Sequence, residues 1–229
     1  MTTVRYDLHL HTEYSPDCDT ALDAIEPHAL RRGLTGLAVT DHNTIAGALK
    51  LRDRVKTLNV IIGEEVSTRD GDVVGLFLRE HIPPKMSGLE TMRAIHAQGG
   101  LVYLPHPFDK QKARRTGGAS LASLIESVDI VETFNGKVGR DHYNLMATEF
   151  AARHGKIAGG GSDAHNLRAI GTVINEFESP ANLSDPALFL QALAAGHIVG
   201  QRRSPLTGWL VRGRRPLSMA WRRMRSRNG

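Results

Sequence analysis

The chain has 229 residues, 41% of them hydrophobic, with one cysteine and a net charge of +5. This composition predicts one folded domain with a substantial core and excludes a disordered chain or an internal disulfide. The charge is uneven: nine arginines follow Asp185 (Arg202, Arg203, Arg212, Arg214, Arg215, Arg222, Arg223, Arg225 and Arg227) with no acidic residue among them, which leaves the first 185 residues at −4. The start of the chain has no apolar signal-peptide core, and no apolar run is long enough to span a bilayer. With Cys18 alone, the expectation is a soluble, cytoplasmic protein.

Strand-like runs are predicted at 4–11, 34–40, 60–66, 73–78, 101–104, 128–134 and 156–160. Helices are predicted at 21–32, 44–58, 87–98, 121–127, 140–154 and 186–195. Ser87 followed by Glu90 is a capping-box signature, and Gly99-Gly100 ends that helix. Ser184 is the expected N-cap of the last helix, and Gly196 ends it. Alternation of this kind argues for βα units and a largely parallel sheet. The exception is 60–78, where Thr68-Arg69-Asp70-Gly71 separates two strands and predicts an antiparallel hairpin. The expected division is a catalytic domain over 1–200 and a basic extension over 201–229.

Residues of metal-ligand type fall at the ends of these strands. They are Asp7, His9 and His11; Asp41 and His42; Glu64 and Glu65; His106; Glu132; then Asp163 and His165. Loops at the C-terminal face of a parallel barrel build active sites, so this distribution predicts one there. Strand alternation would put Asp7, His9 and His11 on one side, with Leu8 and Leu10 turned towards helices. Asp7 would then accept a ring N–H and fix a histidine tautomer. Gly159-Gly160-Gly161 allows close backbone approach before Asp163. Pro105 and Pro107 should hold His106 extended. Glu65 could bridge two metals, whereas Glu64 reads as a surface hairpin carboxylate. Asp17 reads as a turn or N-cap residue in the loop after the first strand. Nitrogen and oxygen donors without thiolate suit Zn, Mn or Fe, with Mg also admissible.

Together the motifs resemble the PHP (polymerase and histidinol phosphatase) family, in its short stand-alone form. They read Asp7-Leu8-His9-Leu10-His11, Thr40-Asp41-His42, Gly63-Glu64-Glu65, His106-Pro107 and Gly161-Ser162-Asp163-Ala164-His165, in the family's order over roughly residues 4–175. The resemblance implies an α/β fold, a distorted (β/α)7 TIM-like barrel with two or three divalent metal ions at the C-terminal face of the strands. It implies a first metal on His9, His11, Glu65 and Asp163, and a second on Glu65 and His106. A third would lie on Asp17, His42 and His165. Some relatives supply another histidine to the second site after the hairpin, where Glu80 and His81 are the candidates here.

The activity expected is hydrolysis of phosphomonoesters or phosphodiesters of a nucleotide, an oligonucleotide end or a small phosphorylated metabolite, by metal-activated hydroxide. Asp163, His42 and His165 are the candidate catalytic residues, with either histidine able to protonate the leaving group. Arg114, Arg115, Lys137 and Arg140 are candidate phosphate-binding groups. The competing expectations are a metal-dependent amidohydrolase and a non-catalytic metal-binding module. Within 201–229, Leu217, Trp221 and Met224 share helical spacing. That segment could dock on the barrel, bind nucleic acid or rest on an anionic membrane. No feature predicts the oligomeric state.

Overall fold

In the computed structural model, which describes residues 2–109 and 124–200, strands and helices alternate. The order is β1 (Thr3–Leu10), α1 (Leu22–Arg31), β2 (Gly36–Val39), α2 (Ala46–Arg54), β3 (Asn59–Ser67), β4 (Asp72–Leu76), α3 (Gly88–Ala97) and β5 (Leu101–Leu104). Then follow β6 (Ile130–Asn135), α4 (Asp141–Arg153), β7 (Ile157–Gly161), β8 (Val173–Glu178), α5 (Pro186–Ala194) and β9 (His197–Gly200). The strands form one sheet in the order β7-β6-β5-β4-β3-β2-β1-β8-β9. The pairs β1–β2, β2–β3, β5–β6 and β6–β7 are parallel, as βα units require. The β3–β4 pair is the expected antiparallel hairpin. The sheet curls into a nearly closed barrel: beyond β7, Asp163 N donates to His9 O (2.8 Å) and His11 N donates to Ala164 O (2.9 Å).

β8 and β9 were not expected as strands. β8 pairs antiparallel with the first half of β1, and β9 antiparallel with β8. β8 reads Val-Ile-Asn-Glu-Phe-Glu, half of it polar, and β9 holds only Ile198 and Val199 as apolar residues, so neither carries the apolar run that marks the earlier strands. Of the helix expected at 121–127, the described residues hold Leu124, which is α-helical, and a 3₁₀ turn at Ile125–Ser127. The capping box at Ser87 and Glu90 forms as expected. At α5 the cap is Asp185, not Ser184: its carboxylate accepts from Ala187 N (2.9 Å) and Leu188 N (3.0 Å), and Pro186 opens the helix without needing a donor.

Two apolar layers sandwich the sheet. Outside, Ile25, Leu51, Met92, Ile95 and Ala147 pack against Leu37, Val39, Ile62, Val102 and Val131. Inside, Tyr6, Leu8, Ile61, Leu76, Tyr103 and Ile130 meet Phe177 and Phe189, with Tyr6 stacked on Phe177 (5.6 Å). One irregularity decides the site. Between Asp7 and Leu10 β1 advances three residues while β2 advances two, from Leu37 to Val39, which is a β-bulge. Leu8 therefore belongs to the inner layer and Leu10 to the outer. The Asp7 carboxylate accepts from the His9 backbone N–H (3.4 Å) and meets no histidine ring, contrary to the strict alternation expected for 7, 9 and 11.

Candidate metal centre

Five imidazoles and three carboxylates converge where β1, β2, β3 and β7 end and where the loops after β1 and β5 begin. Glu65 is the hub. Its Oε1 lies 3.1 Å from His106 Nε2. Its Oε2 lies 3.4 Å from His9 Nε2, 3.3 Å from His11 Nε2 and 3.3 Å from His42 Nδ1. Asp163 Oδ1 lies 3.5 Å from His11 Nε2 and 3.4 Å from His165 Nδ1. Asp17 Oδ2 lies 2.9 Å from His165 Nε2 and 3.7 Å from His42 Nε2. Three overlapping groups have ligand atoms within 4.8 Å of one another: His9, His11 and Asp163; His9, Glu65 and His106; and His11, His42 and His165.

The donor set fits divalent metal. His9 Nε2 and His11 Nε2 lie only 3.3 Å apart, buried, and both face the same carboxylate oxygens. Only one proton can sit between two such nitrogens, whereas one cation can accept both lone pairs. His9 and His11 with Glu65 and Asp163 would hold one ion. Glu65 and His106 would hold a second, and Asp17, His42 and His165 a third. The structure gives the two oxygens of Glu65 different neighbours, as a bridging carboxylate needs.

The backbone is bent to make this arrangement. His106 has φ +30°, not the extended conformation expected between two prolines. Its N–H donates to Glu132 Oε2 (2.7 Å) while its ring meets Glu65, and these two demands override the local preference. Asp163 has φ +49°. Gly161 is required for close approach, since a Cβ there would lie 2.3 Å from His9 Cβ.

The sequence matches the PHP domain over residues 7–150 and the PHP-associated domain over residues 141–198. The chain belongs to the PHP domain family. It is 31% identical over 199 residues to the uncharacterized protein MJ0417 of Methanocaldococcus jannaschii, covering 83% of this chain and 79% of that one. Its fold is similar to that of a two-domain protein from Bacteroides vulgatus containing a predicted PHP-like metal-dependent phosphoesterase. That match has TM-score 0.73 and 16% identity, over 87% of this chain and 65% of that one. It is also similar to an amidohydrolase from Chromobacterium violaceum with bound sulfate, with TM-score 0.61 and 17% identity over 88% and 99% of the two chains.

Within this PHP barrel the histidine-orienting role expected of Asp7 falls to Glu132. Glu132 Oε1 accepts from the His9 ring nitrogen Nδ1 (3.0 Å) and from Tyr103 OH (2.9 Å), and Oε2 accepts from Asn135 Nδ2 (2.9 Å) as well as from His106 N. Asn135 also reaches Asp163 Oδ2 (3.3 Å). A second bulge, between Glu132 and Phe134, lets residues three apart serve one site. The sequence marked Glu132 as a strand-end carboxylate, but strict alternation hid its link to Asn135. Asp7, on the far side of the bulge, accepts instead from Ser162 N (2.9 Å) and Gly171 N (2.9 Å). Its pKa is pushed up to about 6 by burial, against those hydrogen bonds.

Glu64 is not a surface carboxylate. It is fully buried and accepts from His81 Nδ1 (2.8 Å) and Ile82 N (3.0 Å). His81 is thus committed to Glu64, and Glu80 is exposed; neither belongs to the three ligand groups. The physical reason is the hairpin: β4 runs antiparallel and carries residues 79–81 away from the C-terminal face. Asp41 pins the loop after β1, accepting from Thr12 N (2.6 Å) and Thr12 Oγ1 (2.7 Å).

Electrostatics follow the same geometry. Burial works against an imidazolium at His9, but Glu132, Asp163 and Glu65 outweigh it and hold the pKa well above the usual histidine value. Burial and the neighbouring His165 push His11 down to about 4. Glu65 is held well below the carboxylate range despite burial, because histidines surround it. Lys137 Nζ lies 3.4 Å from Asp163 Oδ1 and 3.0 Å from the His165 ring. Arg140 is exposed at the start of α4. Arg114 and Arg115 lie outside the described residues, as does 201–229. No helix among the described residues is long and apolar enough to cross a membrane.

Proposed function

We propose that this protein is a metal-dependent phosphoesterase acting on phosphomonoesters or phosphodiesters. The observation that carries the reading is the cluster of overlapping donor groups built, among the described residues, around Glu65, with a lysine at its edge. Bound divalent ions would lower the pKa of water and offset the charge on phosphoryl oxygens. The chain's own residues supply the rest. His9, His11, Glu65, His106 and Asp163 form the buried floor. His42 and His165 are the more open donors, at 24% and 12% side-chain exposure; in a two-ion centre that leaves the third group without metal, one of them would pass a proton to the leaving oxygen. Lys137, 31% exposed, is placed to receive a phosphoryl oxygen, with Arg140 further out. Glu65, whose two oxygens have different histidine neighbours, would fill the bridging position for which an amidohydrolase would use a modified lysine.

The test is turnover of paired nitrophenyl mono- and diesters with added Mn²⁺, alongside an EDTA control and Asp163→Asn. Chelator-sensitive turnover that is lost in the variant is the expected result, and the preferred ester assigns phosphatase or phosphodiesterase chemistry. Metal binding with no turnover of either ester would count against the proposal and favour a binding module.

A further inference from the structure

The barrel closes along only part of β7. Just beyond β7, Asp163 and Ala164 hydrogen-bond to the end of β1, but the first half of β1, Thr3–Tyr6, is already paired with β8. The start of β7 therefore faces the β8–β9 pair across a seam. Asn175 on β8 bridges that seam: Gly160 N donates to its Oδ1 (2.9 Å), and its Nδ2 donates to Gly160 O (2.7 Å). Towards the start of β7 the seam opens into a cavity of about 370 Å³, lined among others by Ile157, Ala158, Leu193, Ala194, His197 and Ile198.

Backbone polar groups alternate sides along a strand. Gly159 O accepts from Thr133 Oγ1 (3.3 Å) and Gly161 O from Gly136 N (2.9 Å), both on the β6 side. Gly160, between them, turns its N–H and C=O the other way, to Asn175. β7 is regular here, since the bulge in this pair lies in β6, so Ala158 shares the orientation of Gly160. Its N–H and C=O face the cavity, and among the described residues no group pairs with them. The polar side chains of the lining are already committed. Lys156 Nζ donates to Glu126 O (3.3 Å), His197 Nε2 lies 3.1 Å from Glu176 Oε2, and both ends of the Asn175 amide are taken.

A cavity of this size, with apolar walls and a few placed polar groups, is of the kind that holds small molecules. Asn175 shows what the β7 edge accepts: a flat group with a donor beside an acceptor. From this juxtaposition we infer that the seam between β7 and β9 is a second small-molecule site, for a planar ligand that offers such a pair to Ala158, through a nucleobase edge or a primary carboxamide. Leu193, Ala194 and Ile198 supply apolar surface for its faces. β7 separates this site from the metal centre, because Ala158 lies near the start of the strand and Asp163 beyond its end. The inference does not depend on the phosphoesterase reading.

Amide NMR of the full ¹⁵N-labelled chain tests it. Adenine, uracil and nicotinamide are the probes, and benzene is the control that has a flat shape without the hydrogen-bonding pair. Two variants are compared with the wild type. Ala194→Trp puts bulk into the cavity from the exposed end of α5. Ala158→Pro removes the N–H that faces the cavity and spares the ladder to β6. At least one probe should shift the Ala158 and Ile198 amides saturably, with Kd raised at least about tenfold in either variant. Tighter binding of a base or of nicotinamide then assigns the source of the ligand. No shift at these amides with any probe would overturn the inference. So would equal affinity for benzene, or shifts confined to residues 161–165 at the metal centre. Should Ala158→Pro fail to fold, Ala194→Trp decides alone, and an unchanged Kd there overturns the site.

Discussion

At the residue scale, the centre depends on side chains that would touch no substrate. Glu132 fixes the His9 ring and the His106 backbone at once, using both carboxylate oxygens. Replacing it with Ala frees the His9 ring to rotate and leaves the His106 amide unpaired. Glu132→Ala should therefore weaken metal affinity by about 10–100-fold, the range for lost partners of ligating histidines. Titration of the apo protein with Zn²⁺ checks this, and unaltered affinity would show that His9 is oriented by packing alone. Cys18 has no part in this network. Its thiol is buried, donates to His11 O (3.3 Å), and is pushed up to about 11 by burial, so it is a poor nucleophile near neutral pH.

At the scale of the element, helices and strands answer to different rules. α3 is set by local chemistry: Ser87 Oγ accepts from Glu90 N (3.3 Å), and Glu90 Oε2 accepts from Ser87 N (2.8 Å). Ser87→Ala should cost about 1 kcal/mol. For a chain of this size that corresponds to a fall in Tm of about 2–4 °C, measurable by circular dichroism, and catalysis should be unaffected because α3 supplies no donor. The strands that bear ligands depart from ideal alternation where function needs it. Bulges in β1 and β6 rotate His9, His11 and Asn135 towards one point. Their cost is local pairing, and their yield is a site that regular strands could not present.

At the scale of the whole molecule, barrel closure and the donor set are one feature. The chain just beyond β7 hydrogen-bonds to the end of β1, and in doing so brings Asp163 against His9 and His11. Metal held by residues from both edges would tie the barrel shut. Adding Mn²⁺ or Zn²⁺ should therefore raise Tm and EDTA should lower it, with stabilisation of about 2.7 kcal/mol at a metal concentration 100 times Kd. Differential scanning fluorimetry would read the shift. Glu65→Gln should reduce it more than a change at exposed Asp17, because Glu65 contacts four of the five imidazoles. No shift with either metal would mean that the centre is not closed by cation binding.

The sequence by itself determined the alternation of strands and helices, the β3–β4 hairpin, the capping box and nearly every member of the donor set. These are local properties: periodicity, turn chemistry and residue type at a strand end are all written within a few positions. Tertiary structure alone decided which residue orients His9, because the Asp7 carboxylate meets no histidine ring and closure brought Glu132 in from 123 residues along the chain. It also decided that Glu64 is buried against His81, that His106 takes a positive φ, and that β8 and β9 extend the sheet beyond β1. Each of these follows from pairing between distant segments, where register and closure outweigh the preferences of any short stretch of chain.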